Sequence, residues 1–310
     1  MENNRPLVTC VITSYKRNKE TVERALQSVL AQTYSPIEVF IIDDNRGEGA
    51  ESYSRGLSEL AEGSDLVSVI KTENGHGGQR ARNTGIGHAR GKYVAFLDDD
   101  DEWLPEKLEI QIPMLEEDPE VGLCYSRGYL INEAFDPPRV TEFKSVKNAT
   151  YEDLLKDDGI GSTTQAVIPR AVFDKVGMFD ESFPARQDYE MWIRISKSYK
   201  TAGSDKCLYK YHKSRGTGQV SHKWKSCLKG HRLIYEKYKD DIDRIRDAKF
   251  NVVFHEAHYL NEGANEEKDP ALKLKAVFKY VRAFFTSPSQ FFVQAGYRLR
   301  KLKGNRRGLL

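Results

Sequence analysis

Nowhere does the sequence offer the roughly 20 consecutive apolar residues that a helix needs to cross a bilayer, so work at a membrane is expected from its surface. Its four cysteines, Cys10, Cys124, Cys207 and Cys227, are too scattered for the close pairs of zinc sites and redox motifs. Free thiols in a reducing compartment follow, and those inside apolar strand-like runs are expected to act as small buried hydrophobes. The opening segment MENNRPLVTCVITSY has no basic leader, long apolar stretch or small-residue cleavage site, which argues against secretion and for the cytoplasm. No repeat or low-complexity tract interrupts the chain. Acids are missing after Asp269, while Lys273, Lys275, Lys279, Arg282 and a further basic cluster from Arg298 to Arg307 follow it.

What remains is the composition of a folded enzyme: 310 residues, enough for one generous core and a smaller appendage, with 39% hydrophobic and 30% charged residues. Leu7 to Thr13 is a β-branched apolar run, and Val22, Ala25, Leu26, Val29 and Leu30 then recur at helical spacing. Ile37 to Ile42 reads as a second buried strand ending in Asp43 and Asp44, and Leu66 to Ile70 as a third. A helix from about Gln79 to Ala89 leads to a fourth strand, Tyr93 to Leu97, which also ends in acids. This βαβαβαβ order predicts a parallel sheet covered by helices, whose ligands bind beyond the carboxyl ends of the strands, where both acidic clusters fall. Pro105 opens a helix with Leu108, Ile112 and Leu115 on one face, Val121 to Tyr125 is a further strand, and the polar stretch from Asp136 to Lys147 reads as a connection.

The segment FLDDDDEW, Phe96 to Trp103, places four consecutive carboxylates at the end of a buried strand. Such crowding raises pKa values and repels unless a cation compensates, and hard cations such as magnesium or manganese favour oxygen ligands. Asp98 and Asp100, as alternate residues, can share one ion and its diphosphate. The bland alternative is a solvated acidic turn.

The pieces VTCVITSYKR, SVLAQTY, IEVFIIDDN, NGHGGQRARNTGIGHARGKYVAFLDDDDEW and VGMFDESFPARQDYEMWIRI occur in one order over roughly residues 7 to 215. Together they resemble the family 2 glycosyltransferases. The resemblance implies a GT-A fold, a Rossmann-like, mostly parallel sheet flanked by helices, here with a C-terminal helical extension. It implies an inverting transfer of a sugar from a nucleoside diphosphate donor, UDP being favoured, to a hydroxyl of a glycan or lipid-linked acceptor, with a divalent cation, Mn2+ or Mg2+.

By that resemblance Thr13, Tyr15 and Asp44 surround the nucleobase, with Asp43 in second place as a turn acid, and Arg82 and Asn83 line the donor site after the glycine loop. Arg80 pairs either with the donor or with surface acids. Asp100 and Asp98 hold the metal, Asp99 reaches the donor sugar or ribose, and Asp101 is the alternative if the register slips. Asp188 is the general base, although it can equally cap the following helix. Gln187 stands beside it where the family often has an acid. His212, or behind it His222, contacts the metal or diphosphate.

The tail pattern ALKLKAVFKYVRAFF, with FFVQAGYRLRKLKGNRR beyond Pro288, mixes rings and cations in a way that suits an anionic membrane surface. A helix packed on the protein with a solvated basic face is the plain alternative. No nucleic-acid motif accompanies the charge. The expected organisation is a catalytic domain over 1–222, a helical extension over 223–265 and a basic tail over 266–310, with peripheral attachment to the cytoplasmic face of the membrane. Two other functions fit parts of the pattern: a sugar-phosphate nucleotidylyltransferase, against which TSYKRNKE lacks the glycine-rich phosphate loop, and a non-catalytic sugar-nucleotide binder, against which the aspartates speak.

Overall fold

The computed structural model describes residues 5–73, 77–143, 145–213 and 223–296, and these divide into two compact units. The first comprises residues up to 154, 159–182 and 187–213, and the second 155–158, 183–186 and 223–296. Residues 74–76 of the glycine loop, His222 and the tail beyond 296 lie outside the described residues.

In the first unit, β1 (Val8–Ser14), β2 (Ile37–Asp43), β3 (Val67–Lys71) and β4 (Tyr93–Asp98) run parallel in the order β3-β2-β1-β4. The continuous apolar runs of β1, β2 and β4 are buried because helices α1 (Lys19–Leu30), α2 (Ala50–Ala61) and α3 (Gly78–His88) cover the sheet, whereas β3 at its edge buries only Val67. Asn18 caps α1 by accepting from the Thr21 amide, and Val22, Ala25, Leu26 and Val29 form its buried stripe. Gly85 lets α3 lie directly on β1, since a Cβ there would sit 2.5 Å from Val11.

The other half of the sheet is mixed. After β5 (Glu102–Trp103) and α4 (Lys107–Glu117), whose Leu108, Ile112 and Leu115 are buried as their spacing predicts, come β6 (Val121–Asn132) and β7 (Arg139–Phe143). Then follow α5 (Tyr151–Lys156), a 3-10 turn (Thr163–Gln165), β8 (Val167–Pro169), α6 (Arg170–Val176), α7 (Gln187–Ser196) and β9 (Lys200–Lys213). Short β8 pairs antiparallel with both β4 and β6, and β6 runs parallel to β9. The polar stretch read as a connection contains β7, which is exposed at all five positions. An edge strand with neither face buried carries no alternating pattern, so only its ladder with β6 reveals it.

The second unit is helical: α8 (Trp224–Arg244), α9 (Arg246–Glu266) and α10 (Pro270–Thr286), with residues 288–296 also helical. Trp224, Cys227 and Leu228 of α8 pack on Tyr259 and Leu260 of α9 and on Ala276 of α10. Gly263 accepts the Trp224 indole, where a Cβ would come within 2.4 Å of the ring. Phe250, Val253 and Phe254 pack around Ala283. The sequence reading sets Pro270–Thr286 apart as tail, whereas here that helix shares a core with α9, because its small residues Ala276 and Ala283 permit close approach. Among the described residues no helix is long and apolar enough to cross a membrane.

Candidate active site

β4 ends at Asp98, and the Asp101 amide donating to the Asp98 carbonyl at 3.1 Å closes a turn over the acids. The four carboxylates therefore diverge rather than alternate along an extended strand. Asp98 keeps 28% of its side chain exposed and Asp100 17%, whereas Asp99 and Asp101 are buried. Arg82, from the first turns of α3, donates to Asp98 at 2.5 Å. Arg17, in the loop after β1, donates through Nε to Asp99 at 3.0 Å and through Nη2 to Asp100 at 2.8 Å. Arg24 of α1 donates to the Asp100 carbonyl at 2.8 Å.

Crowding shows in the protonation of these groups. Burial pushes the Asp99 carboxyl up to about 6, with the charge of Asp100 adding to the effect and Arg17 opposing it. Burial raises Asp100 as well, aided by Asp98. Asp101, enclosed completely, is raised furthest by its burial and then by Asp98 and Asp100.

Asp101 accepts from the Thr164 hydroxyl at 2.6 Å and from the His212 amide at 3.1 Å, so it braces the turn from inside. Asp98 and Asp100 are thus the more exposed of the four side chains, while Asp101 is engaged inside the turn. Among the described residues no three His, Cys, Asp or Glu side chains form a ready-made metal cage. Two carboxylates nonetheless fit a hard divalent ion of the kind completed by water and substrate phosphates. Such an ion would offset both the burial that chiefly raises Asp99 and Asp100 and the repulsion that adds to it.

The expected nucleobase residues gather at the ends of β1 and β2. Thr13 stands in register with Ile42 and with Asp98, and the Asp44 amide donates to the Ser14 carbonyl. Asp44 is buried and accepts from the Thr72 hydroxyl at 2.9 Å, the Gly77 amide at 2.9 Å and Arg46 at 3.1 Å. A carboxylate has about four acceptor positions, and these three donors fill most of those of Asp44. The Arg46 guanidinium also lies 5.0 Å from the Tyr15 ring centre, and Tyr15 is 44% exposed. Asp43 accepts from the Asn45 amide and the Ser54 hydroxyl, which is the turn role weighed for it. Asp99 accepts from the Tyr15 amide at 3.3 Å and thereby ties this corner to the acidic turn.

Two expected site residues are occupied elsewhere. The Asn83 side chain donates to the Phe179 carbonyl and to Glu181 and accepts from the Phe179 amide, so it staples the loop after α6 rather than opening to a donor. Arg80 pairs with Glu181 at 3.0 Å, the surface alternative. The His212 ring lies between Glu133, 2.8 Å from Nδ1, and Glu102, 2.7 Å from Nε2. Pairing of Glu102 with Lys210 in the β5–β9 ladder puts that carboxylate on the histidine's side of the strand, two residues away. Both ring nitrogens thus lie within hydrogen-bond distance of glutamates.

Asp188 is the second residue of α7 and accepts from the Tyr189 amide at 2.8 Å, a first-turn position where a carboxylate complements the helix terminus. On the same helix the Trp192 indole donates to the Gly161 carbonyl at 2.8 Å. Two residues on, the Thr163 hydroxyl reaches Asp98 at 3.3 Å, and Thr164 bridges the Asp98 amide to Asp101. Residues 161–164 therefore brace both the helix of Asp188 and the acidic turn. Neither these threonines nor Arg17 and Arg46 stand out in the sequence. The need of four acids for counter-charge was a signal for Arg17, the arginine that follows the neighbouring strand; the threonines carried none.

Residues 9–177 match the sequence profile of glycosyl transferase family 2. The chain is 32% identical over 191 residues to the Escherichia coli UDP-Glc:alpha-D-GlcNAc-diphosphoundecaprenol beta-1,3-glucosyltransferase WfgD, covering 62% of this chain and 70% of that protein. An uncharacterized glycosyltransferase of Rickettsia felis is 26% identical, and the match spans 85% of this chain but only 44% of its relative's length. Staphylococcus aureus TarS 1-349, solved in complex with UDP-GlcNAc, superposes with a TM-score of 0.60 at 18% identity, covering 92% of this chain and 82% of that one. The mannosyltransferase PcManGT of Pyrobaculum calidifontis, solved with GDP-Man and Mn2+, gives 0.62 at 18% identity, covering 98% and 83%. The fold is the GT-A fold of these enzymes, and the chain belongs to glycosyl transferase family 2.

Proposed function

We propose that this glycosyltransferase moves a sugar from a nucleoside diphosphate donor to an acceptor hydroxyl with inversion, in the synthesis of a cell-surface or lipid-linked glycan. The observation that carries the reading is the turn after β4, where Asp98 and Asp100 have the most exposed side chains of the four acids. The donor base rests against Tyr15, with Thr13 beside it and Asp44 accepting a ring N–H or ribose hydroxyl. A divalent cation, Mn2+ or Mg2+, would be held by Asp98 and Asp100 and would neutralise the diphosphate.

Asp188 takes the proton of the acceptor hydroxyl as its oxygen bonds to the anomeric carbon. The bond from that carbon to the diphosphate oxygen breaks in the same step, and the negative charge leaves with the nucleoside diphosphate. Arg17 and Arg82, which neutralise the carboxylates here, supply positive charge around the departing group. One displacement from the opposite face inverts the centre. The name of WfgD points to a diphosphoundecaprenol-linked acceptor, and UDP is the favoured carrier. In this reading 1–222 is the catalytic domain and 223–265 a helical extension, and the segment 266–310, whose helix α10 packs on α9, attaches the enzyme to the cytoplasmic face of the membrane.

The test is a panel of nucleotide sugars with and without Mn2+. Release of nucleoside diphosphate that chelation abolishes and Asp100→Ala suppresses supports the reading. Release of pyrophosphate from a nucleoside triphosphate and a sugar phosphate replaces it with nucleotidyl transfer. Tight donor binding without turnover on any acceptor replaces it with a binding protein.

A further inference from the structure

In the helical unit, α10 is apolar on two opposite faces. Ala276 and Ala283 are buried against α9, while Leu274, Val277, Phe278, Val281 and Phe285 point outward at 58%, 48%, 66%, 49% and 76% exposure. Their spacing of three and four residues makes one continuous stripe on the solvent side of the helix. A stripe of this kind needs a cover.

Chemistry beside the stripe says which cover. About a quarter turn away, Lys275, Lys279 and Arg282 face a groove of about 530 Å³ between α8 and α10. Its floor is apolar, made by Trp224, Leu228, Leu260 and Leu272, and Arg232 of α8 closes the far rim. Glu256, the one acid in the lining, accepts from Arg232 and Lys279. Lys275 and Arg282 have no carboxylate partner among the described residues, and their own helix contains no acid.

An apolar floor under a rim of four cations, next to an outward apolar stripe, matches an amphiphile with an anionic head. We infer that this groove seats the phosphate-bearing head group and adjoining chain carbons of an anionic membrane lipid while the stripe of α10 enters the bilayer interface. The inference rests on the membrane-attachment reading above and gives it a site. It assigns binding to folded residues on α8 and α10 and not only to the diffuse charge of the last residues. Phosphate contacts come from Lys275 and Arg282, with Arg232 and Lys279 exchanging part of their hold on Glu256.

Full-length protein is sedimented with vesicles of phosphatidylcholine alone or mixed with phosphatidylglycerol, and release of nucleoside diphosphate from the donor is measured in parallel. Pelleting is expected with the mixed vesicles only, undisturbed by inorganic phosphate. Lys275→Glu with Arg282→Glu should weaken it about tenfold or more, and Phe278→Ser with Phe285→Ser by about tenfold. Both double variants should keep donor turnover, which controls for folding. If the charge-reversed variant pellets like the parent, or if only neutralising Arg298, Arg300, Lys301 and Lys303 matters, the groove is overturned and membrane attachment through the tail stands. Failure of the parent to pellet overturns both while leaving glycosyl transfer untouched, and displacement by inorganic phosphate replaces the lipid with a soluble anion.

Discussion

Arg82 donates to Asp98 at 2.5 Å from a side chain only 7% exposed, and among the described residues its Nε and Nη1 have no hydrogen-bond partner. The arginine is therefore fixed by one ion pair, and that pair holds the end of β4. Arg82→Ala is expected to destabilise the fold by about 1–3 kcal/mol, less than a wholly buried pair because Asp98 retains access to water. Urea unfolding measures this, and the donor KM should rise in the same variant. An unchanged unfolding midpoint would show that the pair bears no structural load.

Asp188→Asn preserves the shape of the α7 terminus and removes the basic oxygen. Transfer should fall by at least about 10²-fold while donor affinity, read by calorimetry, stays within a factor of about three. Parallel loss of donor binding would assign Asp188 to the donor pocket and not to proton transfer.

Thr164 is the hydroxyl beneath the acidic turn, donating to a carboxylate with no exposed surface. Thr164→Val keeps the volume and deletes the donor, so about 1–3 kcal/mol of stability should be lost. Because the same oxygen accepts from the Asp98 amide, the turn should also loosen, raising the Mn2+ concentration needed for half-maximal turnover. Thr164→Ser should restore both quantities.

Lys107 is fully buried under the sheet, over the Trp103 ring and donating to Gln111 at 2.5 Å. Burial lowers its ammonium to about 7, below the ordinary lysine value of 10.5. Between those values the unfolded chain binds a proton that the folded one does not, so this residue makes stability rise as pH increases from about 7 to about 10. Lys107→Met should remove that rise. Its stability advantage over the parent should be largest near pH 7 and shrink toward pH 10. Identical pH profiles of the two proteins would refute a neutral buried amine. Cys10 and Cys124, whose thiols burial pushes up to about 12, should resist alkylation throughout this range.

Much of the catalytic unit was legible because its determinants are local. Continuous apolar runs become buried parallel strands, and an acid at the end of such a run falls at the ligand edge of the sheet. Asp44, Asp98 and Asp100 are candidates read in that way, and the structure places all three at that edge. For Asn83 and His212 the sequence does not show the partners, since Phe179, Glu102 and Glu133 lie far along the chain. A motif position says where the backbone of a residue stands, but the direction of an amide or an imidazole depends on what faces it.

The amino-acid sequence by itself determined the succession of strands and helices in the parallel half, the acidic cluster at the end of β4 and the amphipathic character of α10, because each is written in the spacing of neighbouring residues. Tertiary structure alone decided which arginine neutralises which aspartate, that Asp101 turns inward, that β7 joins the sheet, and that one face of α10 packs on α9 while the other stays bare. Those outcomes depend on pairings between residues distant in the chain. Their energies come from burial and charge compensation, which exist only once the chain has closed around them.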